Sequence, residues 1–170
     1  MTRQSPGQAK VLTVSDSVEA GSRTDVSGDA VVRRLVDAGY EVIEHRVVSD
    51  DIDGITNALS YMAYGFNGLV ATTGGSGFGQ RDFTPEATKR VMDRAAPGMA
   101  EAMRSVSSRG RLSRAVAGTR GSSLILNLAA APDRAVQMLD AVIDVVPEAL
   151  GLLAGSIVPT VDAVEPNLVD

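Results

Sequence analysis

Between Gly68 and Thr88 the chain reads GLVATTGGSGFGQRDFTPEAT, and this stretch limits the possible folds more than any other. Gly68–Thr72 is a short apolar run opened by glycine, the pattern of a buried strand. Four glycines then fall between positions 74 and 79. Lacking Cβ, they let backbone N–H groups come close to a ligand. Thr84-Pro85-Glu86 marks a helix start, with Thr84 expected as the N-cap, proline at the first helical position and an acid in the first turn. Strand, glycine loop and helix together form a layout suited to an anion. A flexible surface turn is the plain alternative, but a bare turn has no need of Arg81-Asp82.

Two common phosphate motifs fail here. Gly74 and Gly79 have P-loop spacing, yet Gln80 and Arg81 stand where Lys and Ser or Thr are required. A dinucleotide fingerprint from Gly75 and Gly77 needs glycine where Gln80 sits. Any nucleotide chemistry is therefore of another type.

The rest of the chain builds a frame around this stretch. Lys10–Val14 reads as a first strand, ending in Ser15-Asp16, with a polar, glycine-punctuated loop through Gly28. A helix is expected over 29–38, where Val31, Val32, Leu35 and Val36 form a stripe ended by Gly39. Glu41–Val48 reads as a second strand, ending in Ser49-Asp50-Asp51. One of those acids caps a helix bearing Ile52, Ile55, Leu59 and Met62. This alternation predicts an α/β fold with a parallel, doubly wound sheet.

Past the Thr84 helix, Pro97-Gly98 breaks the chain before a helix with Met99, Ala102, Met103 and Val106, whose methionines read as core filler. Ala115–Gly118 and Ser123–Leu128 read as two strands joined by a glycine-containing turn. Asp133 is expected to cap a long helix carrying Val136, Leu139, Ile143 and Val146, and Pro147 opens a last turn. The expected organisation is a flexible tail over 1–9, one domain over 10–154 and a C-terminal tail over 155–170.

Composition excludes several chemistries. With no cysteine there is no disulfide, thiolate nucleophile or zinc–thiolate site, and one histidine rules out a multi-histidine metal site within a subunit. A required metal would be oxygen-ligated, which points to Mg²⁺. A net charge of −5 argues against generic nucleic-acid binding. No membrane span or signal peptide is read, so the cytoplasm is the expected compartment.

Three side-chain groups have two readings each. Arginines at 104, 109, 111, 114 and 120, with no acid among them, are a solvated loop or a phosphate clamp. His45 lies mid-strand with Ile43 and Val47 and reads as packing. Asp50 and Asp82 each follow a predicted strand's carboxyl end, where paired carboxylates hold Mg²⁺ against a triphosphate if the two ends meet.

Thr72-Thr73-Gly74-Gly75-Ser76-Gly77, Arg81-Asp82 and Thr84-Pro85-Glu86-Ala87-Thr88 resemble the signature of the MogA/MoaB molybdopterin adenylyltransferases, a domain type shared with plant Cnx proteins and gephyrin. The similarity runs from about Val11 to Leu153. It includes Ser15-Asp16, Val48-Ser49-Asp50-Asp51, Leu112-Ser113-Arg114 and Leu124–Leu128. The resemblance implies a three-layer, doubly wound α/β domain with a mainly parallel sheet. It implies transfer of AMP from Mg·ATP to molybdopterin, with release of pyrophosphate, by a homo-oligomer that is a trimer or a hexamer. It also implies catalytic roles for Asp50 and Asp82, which would be the Mg²⁺ ligands. Substrate contacts are implied at Ser15, Asp16, Thr73, Gly74, Gly75, Ser76, Gly77, Arg81 and Glu86, with Ser113 and Asn127 on the pterin side. The molybdate-inserting enzyme of the same pathway is a further implied partner.

The family usually has Asn-Leu-Pro-Gly-x-Pro where this chain has Asn127-Leu128-Ala129-Ala130-Ala131-Pro132. That departure keeps a second reading open: a MoaB-like protein that binds molybdopterin without turning it over. A general nucleotide-binding regulator, resting on the glycine loop alone, is a third.

Overall fold

A computed structural model describes residues 6–156. The greater part of both expected tails, 1–5 and 157–170, lies outside the described residues. In chain order the elements are β1 (Gln8–Val14), α1 (Asp16–Glu19), α2 (Val26–Asp37), β2 (Glu41–Val48), α3 (Ile52–Ala63) and β3 (Gly68–Thr73). They continue with α4 (Thr84–Val91), β4 (Arg94–Ala95), α5 (Pro97–Arg104), β5 (Ala117–Arg120), β6 (Ser123–Leu128), α6 (Pro132–Asp140) and α7 (Val146–Leu153). Among the described residues, no helix is long and apolar enough to cross a membrane.

One six-stranded sheet has the order β2-β1-β3-β6-β5-β4. The first four strands in that order are mutually parallel, while β5 runs antiparallel to both of its neighbours, β6 and β4. Strand alternation sends successive side chains to opposite faces. Val11, Ala71 and Leu126 meet α2, α5, α6 and α7 on one face. Leu12, Val70 and Ile125 meet α3 and α4 on the other. The expected three layers result.

Register carries the fold to the site. Val14 pairs with Val48, Thr13 with Thr73, and Thr73 with Leu128, so four parallel strands end in one line. The chain crosses to one side of β1 for β2 and to the other for β3, which makes the β1/β3 boundary the switch point where α/β sheets bind ligands.

Several local expectations need correction. Gln8 and Ala9 belong to β1 rather than to a tail, because Gln8 pairs with both Glu41 and Gly68. The loop after β1 contains α1, and α2 begins earlier than expected because the Asp25 carboxylate accepts from Gly28 N–H. Thr84 is not an N-cap: its hydroxyl donates to Gly74 O at 2.9 Å, tying the helix to the glycine loop. Asp133 is not a cap either, since α6 opens at Pro132 without any side-chain cap. The long helix expected from there is two, α6 and α7, separated by turns over 141–145. The two-residue β4 carries too little pattern to be read from sequence.

Candidate active site

The glycine loop leaves β3 at the switch point. Gly74 has φ +98° and Gly75 φ +63°, the region that costs a side-chain-bearing residue energy. Space excludes a side chain as well. A Cβ on Gly74 would sit 2.2 Å from Val14 O, and one on Gly75 would sit 2.5 Å from Thr84 Oγ1. These two glycines let the loop fold flat over the ends of β1 and β3.

Arg114 locks the other side of the loop. Its backbone N–H donates to Ser76 O at 2.8 Å, and its Nε donates to Gly77 O at 2.6 Å. The two terminal nitrogens reach Asp82 O and the Glu86 carboxylate. A planar fork with several donors suits this branching contact, and lysine would not reproduce it. Burial, the largest single influence, pushes the Glu86 carboxyl up, but hydrogen bonds from Arg114 and from its own backbone N–H, with the Arg114 and Lys89 charges, together hold the group below the usual carboxylate range.

Asp50 and Asp82 converge, as the strand ends require. Both border the cleft over Gly74 and Gly75, and the position of a Cβ on Gly75 lies 3.5 Å from Asp50 Oδ1. Asp50 Oδ2 accepts from Asp16 N–H at 2.8 Å, and Asp82 Oδ2 accepts from Gly79 N–H at 2.8 Å. Among the described residues, each carboxylate therefore keeps one oxygen without a hydrogen-bond partner. Burial pushes the Asp50 carboxyl up; the Asp16 N–H opposes this, and the Asp16 and Asp82 charges add to the rise.

Two clefts meet over this floor. The first is bordered by Ser76, Ser113, Met103 and Met138, with Arg104, Arg109 and Arg134 as cations and Asp82 as its acid. The second is bordered by Ser15, Thr73 and Gly74, with Asp25, Asp50 and Asp82 against Arg23. Gly75, Asp82 and Ala130 line both. One cleft is predominantly basic, the other predominantly acidic.

The other expected site residues sort by position. Ser15, Thr73, Gly74, Gly75, Ser76, Gly77 and Ser113 border one cleft or both. Asp16 and Arg81 border neither. Arg81 grips Asp16 through Nε at 2.7 Å and a terminal nitrogen at 3.0 Å, which commits two of its five N–H donors to that carboxylate. Glu86 lies outside both clefts as the partner of Arg114. Asn127 is 0% exposed. Its amide donates to Thr72 and Thr88 hydroxyls at 3.1 and 2.9 Å, and its Oδ1 accepts from Val116 N–H. It joins β6 to α4 beneath the site and borders neither cleft.

His45 also departs from the expectation of apolar packing. Its Nε2 lies 3.0 Å from Asp25 Oδ2 and 3.1 Å from Thr13 Oγ1, on an exposed edge strand. Sequence reasoning missed Asp25, Thr13 and Arg134 as cleft residues. A usable signal existed for two of them: Asp25 sits in the loop after β1, and Arg134 in the first turn after β6, both at carboxyl ends of parallel strands. Of the five arginines between 104 and 120, Arg114 and Arg120 are bound in ion pairs, and Arg104 donates to Ala115 O.

With this geometry in view, the relatives are informative. Residues 10–149 match the family described as a probable molybdopterin binding domain. A molybdopterin adenylyltransferase of Helicobacter pylori is 37% identical over 153 residues, covering 86% of this chain and 87% of that one. Molybdenum cofactor biosynthesis protein B of Staphylococcus epidermidis is 34% identical, covering 72% of this chain and 74% of its own. Among solved structures, the molybdopterin biosynthesis enzyme MoaB of Thermus thermophilus superposes with a TM-score of 0.81 at 42% identity, covering 87% of this chain and 96% of that one. The chain is a three-layer α/β protein with a paired-cleft site at the switch point. It belongs to the molybdopterin-binding domain family of molybdenum cofactor biosynthesis.

Proposed function

We propose that this chain is a molybdopterin adenylyltransferase, transferring AMP from Mg·ATP to the terminal phosphate of molybdopterin. The observation that carries this reading is the pair of clefts, opposite in charge, sharing Gly75 and Asp82 as a floor. A two-substrate transfer between phosphates needs such a junction. An acceptor phosphate oxygen bonds to the α-phosphorus while the bond from that phosphorus to the β-bridging oxygen breaks, and pyrophosphate leaves with the electron pair. The acceptor is already an oxyanion, so no general base is required, and alignment with charge offset supplies the rate.

Asp50 and Asp82 fit an oxygen-ligated Mg²⁺. Each offers one uncommitted carboxylate oxygen, and among the described residues no third acid or histidine joins them as a closed cage. That suits an ion that takes one or two carboxylates and leaves the remaining positions to phosphates and water. When bound, Mg²⁺ would offset charge on the phosphates. Gly74, Gly75 and Gly77 bring the backbone close to the ligands, Ser15 and Thr73 border the acidic cleft, and Ser76 and Ser113 border the basic one. Asp16, Arg81, Glu86 and Asn127 hold the walls.

The same reading places the chain in the cytoplasm as a trimer or hexamer, delivering adenylylated molybdopterin to a molybdate-inserting enzyme. Purified protein given Mg·ATP and molybdopterin should release pyrophosphate, and Asp82→Asn should abolish that release; undiminished turnover in Asp82→Asn removes the assignment. A molybdopterin-binding protein without turnover is favoured by one feature, the Ala129–Ala131 loop, because Ala130 borders both clefts. Calorimetric binding of molybdopterin with no ATP-dependent pyrophosphate would select that reading.

A further inference from the structure

The chain's single histidine borders neither cleft, yet it is bonded to a residue that does. His45 Nε2 lies 3.0 Å from Asp25 Oδ2 and 3.1 Å from Thr13 Oγ1, and Thr13 Oγ1 donates to the same Asp25 oxygen at 2.6 Å. Thr13 and Asp25 line the acidic cleft, and His45 stands behind them on β2. Asp25 Oδ1 accepts from Gly28 N–H, so one carboxylate joins β1, β2 and the start of α2. Nothing larger than glycine fits over this knot. A Cβ on Gly28 would fall 2.3 Å from both Asp25 Oδ2 and Thr13 Oγ1, and 2.5 Å from His45 Nε2.

The hydrogens of the knot follow from its distances. Two oxygens 2.6 Å apart need a proton between them, and the Thr13 hydroxyl supplies it. With that hydrogen committed, His45 Nε2 faces two acceptors and must carry a hydrogen itself. A further proton goes to Nδ1, which makes no hydrogen bond among the described residues. The His45 side chain is 27% exposed against 13% for Asp25, so water reaches the ring more readily than the carboxylate. An imidazole changes charge between about pH 5 and 8. His45 can therefore become a cation without breaking its contacts to Asp25 and Thr13. Among the described residues, Asp25 is the one charged group at ion-pair distance from the ring. On the elements packed against β2, Lys10 and Arg46 pair with Glu44, Asp16 with Arg81, Arg34 with Asp140 and Asp53 with Arg90, while Tyr61 lies against Arg46. Glu19 of α1, Asp29, Arg33 and Asp37 of α2, and Glu41 of β2 itself make no ion pair with the ring.

We propose that His45 is a positioning residue for the nucleotide: it holds Asp25 from behind the acidic cleft, and its proton offsets that carboxylate when an anionic ligand enters. The lining of this cleft sets Asp25, Asp50 and Asp82 against Arg23. A charged His45 adds a second cation, within hydrogen-bond distance of one of the three acids, and so favours a polyphosphate. As pH rises the ring loses that charge, the acids face the ligand with one cation fewer, and affinity falls. The identity of the ligand as a nucleoside triphosphate rests on the adenylyl-transfer reading; the coupling of ring to carboxylate does not.

Calorimetric titration of the untagged full chain with Mg·ATP, from about pH 5.5 to 8.5 to span imidazole charging, tests this. His45→Gln keeps an N–H for Asp25 but never becomes charged. At the acid end the unaltered protein should bind Mg·ATP about 5-fold tighter than His45→Gln, the effect of one partly screened unit charge, and the gap should close at the alkaline end. Protonation of ATP and of Asp50 acts on both proteins and cancels in the ratio. His45→Ala, which removes the donor as well, should bind more weakly across the whole range. In pyrophosphate release, KM for ATP should follow the same ratio, while kcat and KM for molybdopterin hold steady. With one histidine in the chain, its ring signals in NMR need no assignment, and they should move as Mg·ATP saturates the unaltered protein. Parallel pH profiles for the unaltered protein and His45→Gln, or ring signals unmoved at saturation, overturn the inference and leave the transferase reading standing wherever pyrophosphate is released. A pH-dependent ratio in a protein that binds Mg·ATP but never releases pyrophosphate supports the inference and removes the transferase reading. Absence of Mg·ATP binding at every pH removes both.

Discussion

Asp16 and Asp50, 34 residues apart, each hold the other's backbone. Asp16 N–H donates to Asp50 Oδ2 at 2.8 Å, and Asp50 N–H donates to Asp16 Oδ1 at 2.9 Å. Arg81 closes the arrangement by gripping Asp16 with two nitrogens, and its hydrogen bond is the main reason the Asp16 carboxyl titrates below its ordinary range. The loops after β1, β2 and β3 are thereby joined at one corner. Asp16→Ala should lower kcat for pyrophosphate release by about 10- to 100-fold, because a displaced catalytic group costs rate without leaving the site. Asp16→Asn, which keeps an oxygen acceptor, should retain more activity in the same assay.

The Asp50 carboxyl supplies a pH test with a definite sign. Burial raises its pKa, and the Asp16 and Asp82 charges add to that rise. A pKa raised in the folded state gives stability that is present below the unfolded value and lost as pH rises through the folded one. At neutral pH the charged Asp50 therefore works against the ligand-free fold. Asp50→Asn should melt above the unaltered protein at pH 7, and the difference should close in acid. Its turnover should fall by about 100-fold or more, as when a preorganised charge is removed. The acidic limb of kcat/KM should have its midpoint above the ordinary aspartate range.

Arg114 holds the glycine loop, Asp82 and Glu86 through one guanidinium. Arg114→Ala leaves those acceptors without their donor. It should cost about 2 kcal/mol, discounted for partial exposure, and lower the melting midpoint by about 4–8 °C. Arg114→Lys should recover little, since one ammonium cannot span the same acceptors. Calorimetry and the pyrophosphate assay should register the losses together.

Asn127 separates a wall from a contact. With its amide and carbonyl both engaged at 0% exposure, Asn127→Ala should destabilise the protein by about 2–3 kcal/mol. KM for molybdopterin should not rise selectively. A selective rise with an unchanged melting midpoint would place Asn127 back at the ligand.

Tyr40 carries the opposite kind of defect. Its ring packs in the core at 4% exposure, and among the described residues its hydroxyl is buried with no hydrogen-bond partner. Burial pushes the phenol up to about 12. Stability from this group is fully present below the unfolded value near 10 and lost as pH rises toward 12. Tyr40→Phe should stabilise the protein at pH 7 by about 1 kcal/mol and blunt its alkaline unfolding.

The parts of this architecture set by local periodicity were legible in the chain. β3, the glycine loop and the convergence of Asp50 with Asp82 follow from an apolar run, a Cβ-free turn and two acids placed just beyond parallel strands. What was not legible depends on partners distant in sequence. Thr84 has an N-cap's residue type, yet the Gly74 carbonyl claims its hydroxyl. Asn127 looks like a ligand contact until Thr72 and Thr88 take its donors. His45 sits among apolar neighbours in the strand but turns to Asp25, which reaches it from another loop. The basic run likewise divides, among the described residues, into arginines with and without an ion pair only when Glu86 and Asp93 are brought beside it.

The floor common to both clefts has a stereochemical consequence. If donor and acceptor sit on opposite sides of Gly75 as proposed, with no protein side chain required as a temporary carrier of AMP, adenylyl transfer would be a single displacement. ATP made chiral at its α-phosphorus should therefore yield a product of inverted configuration.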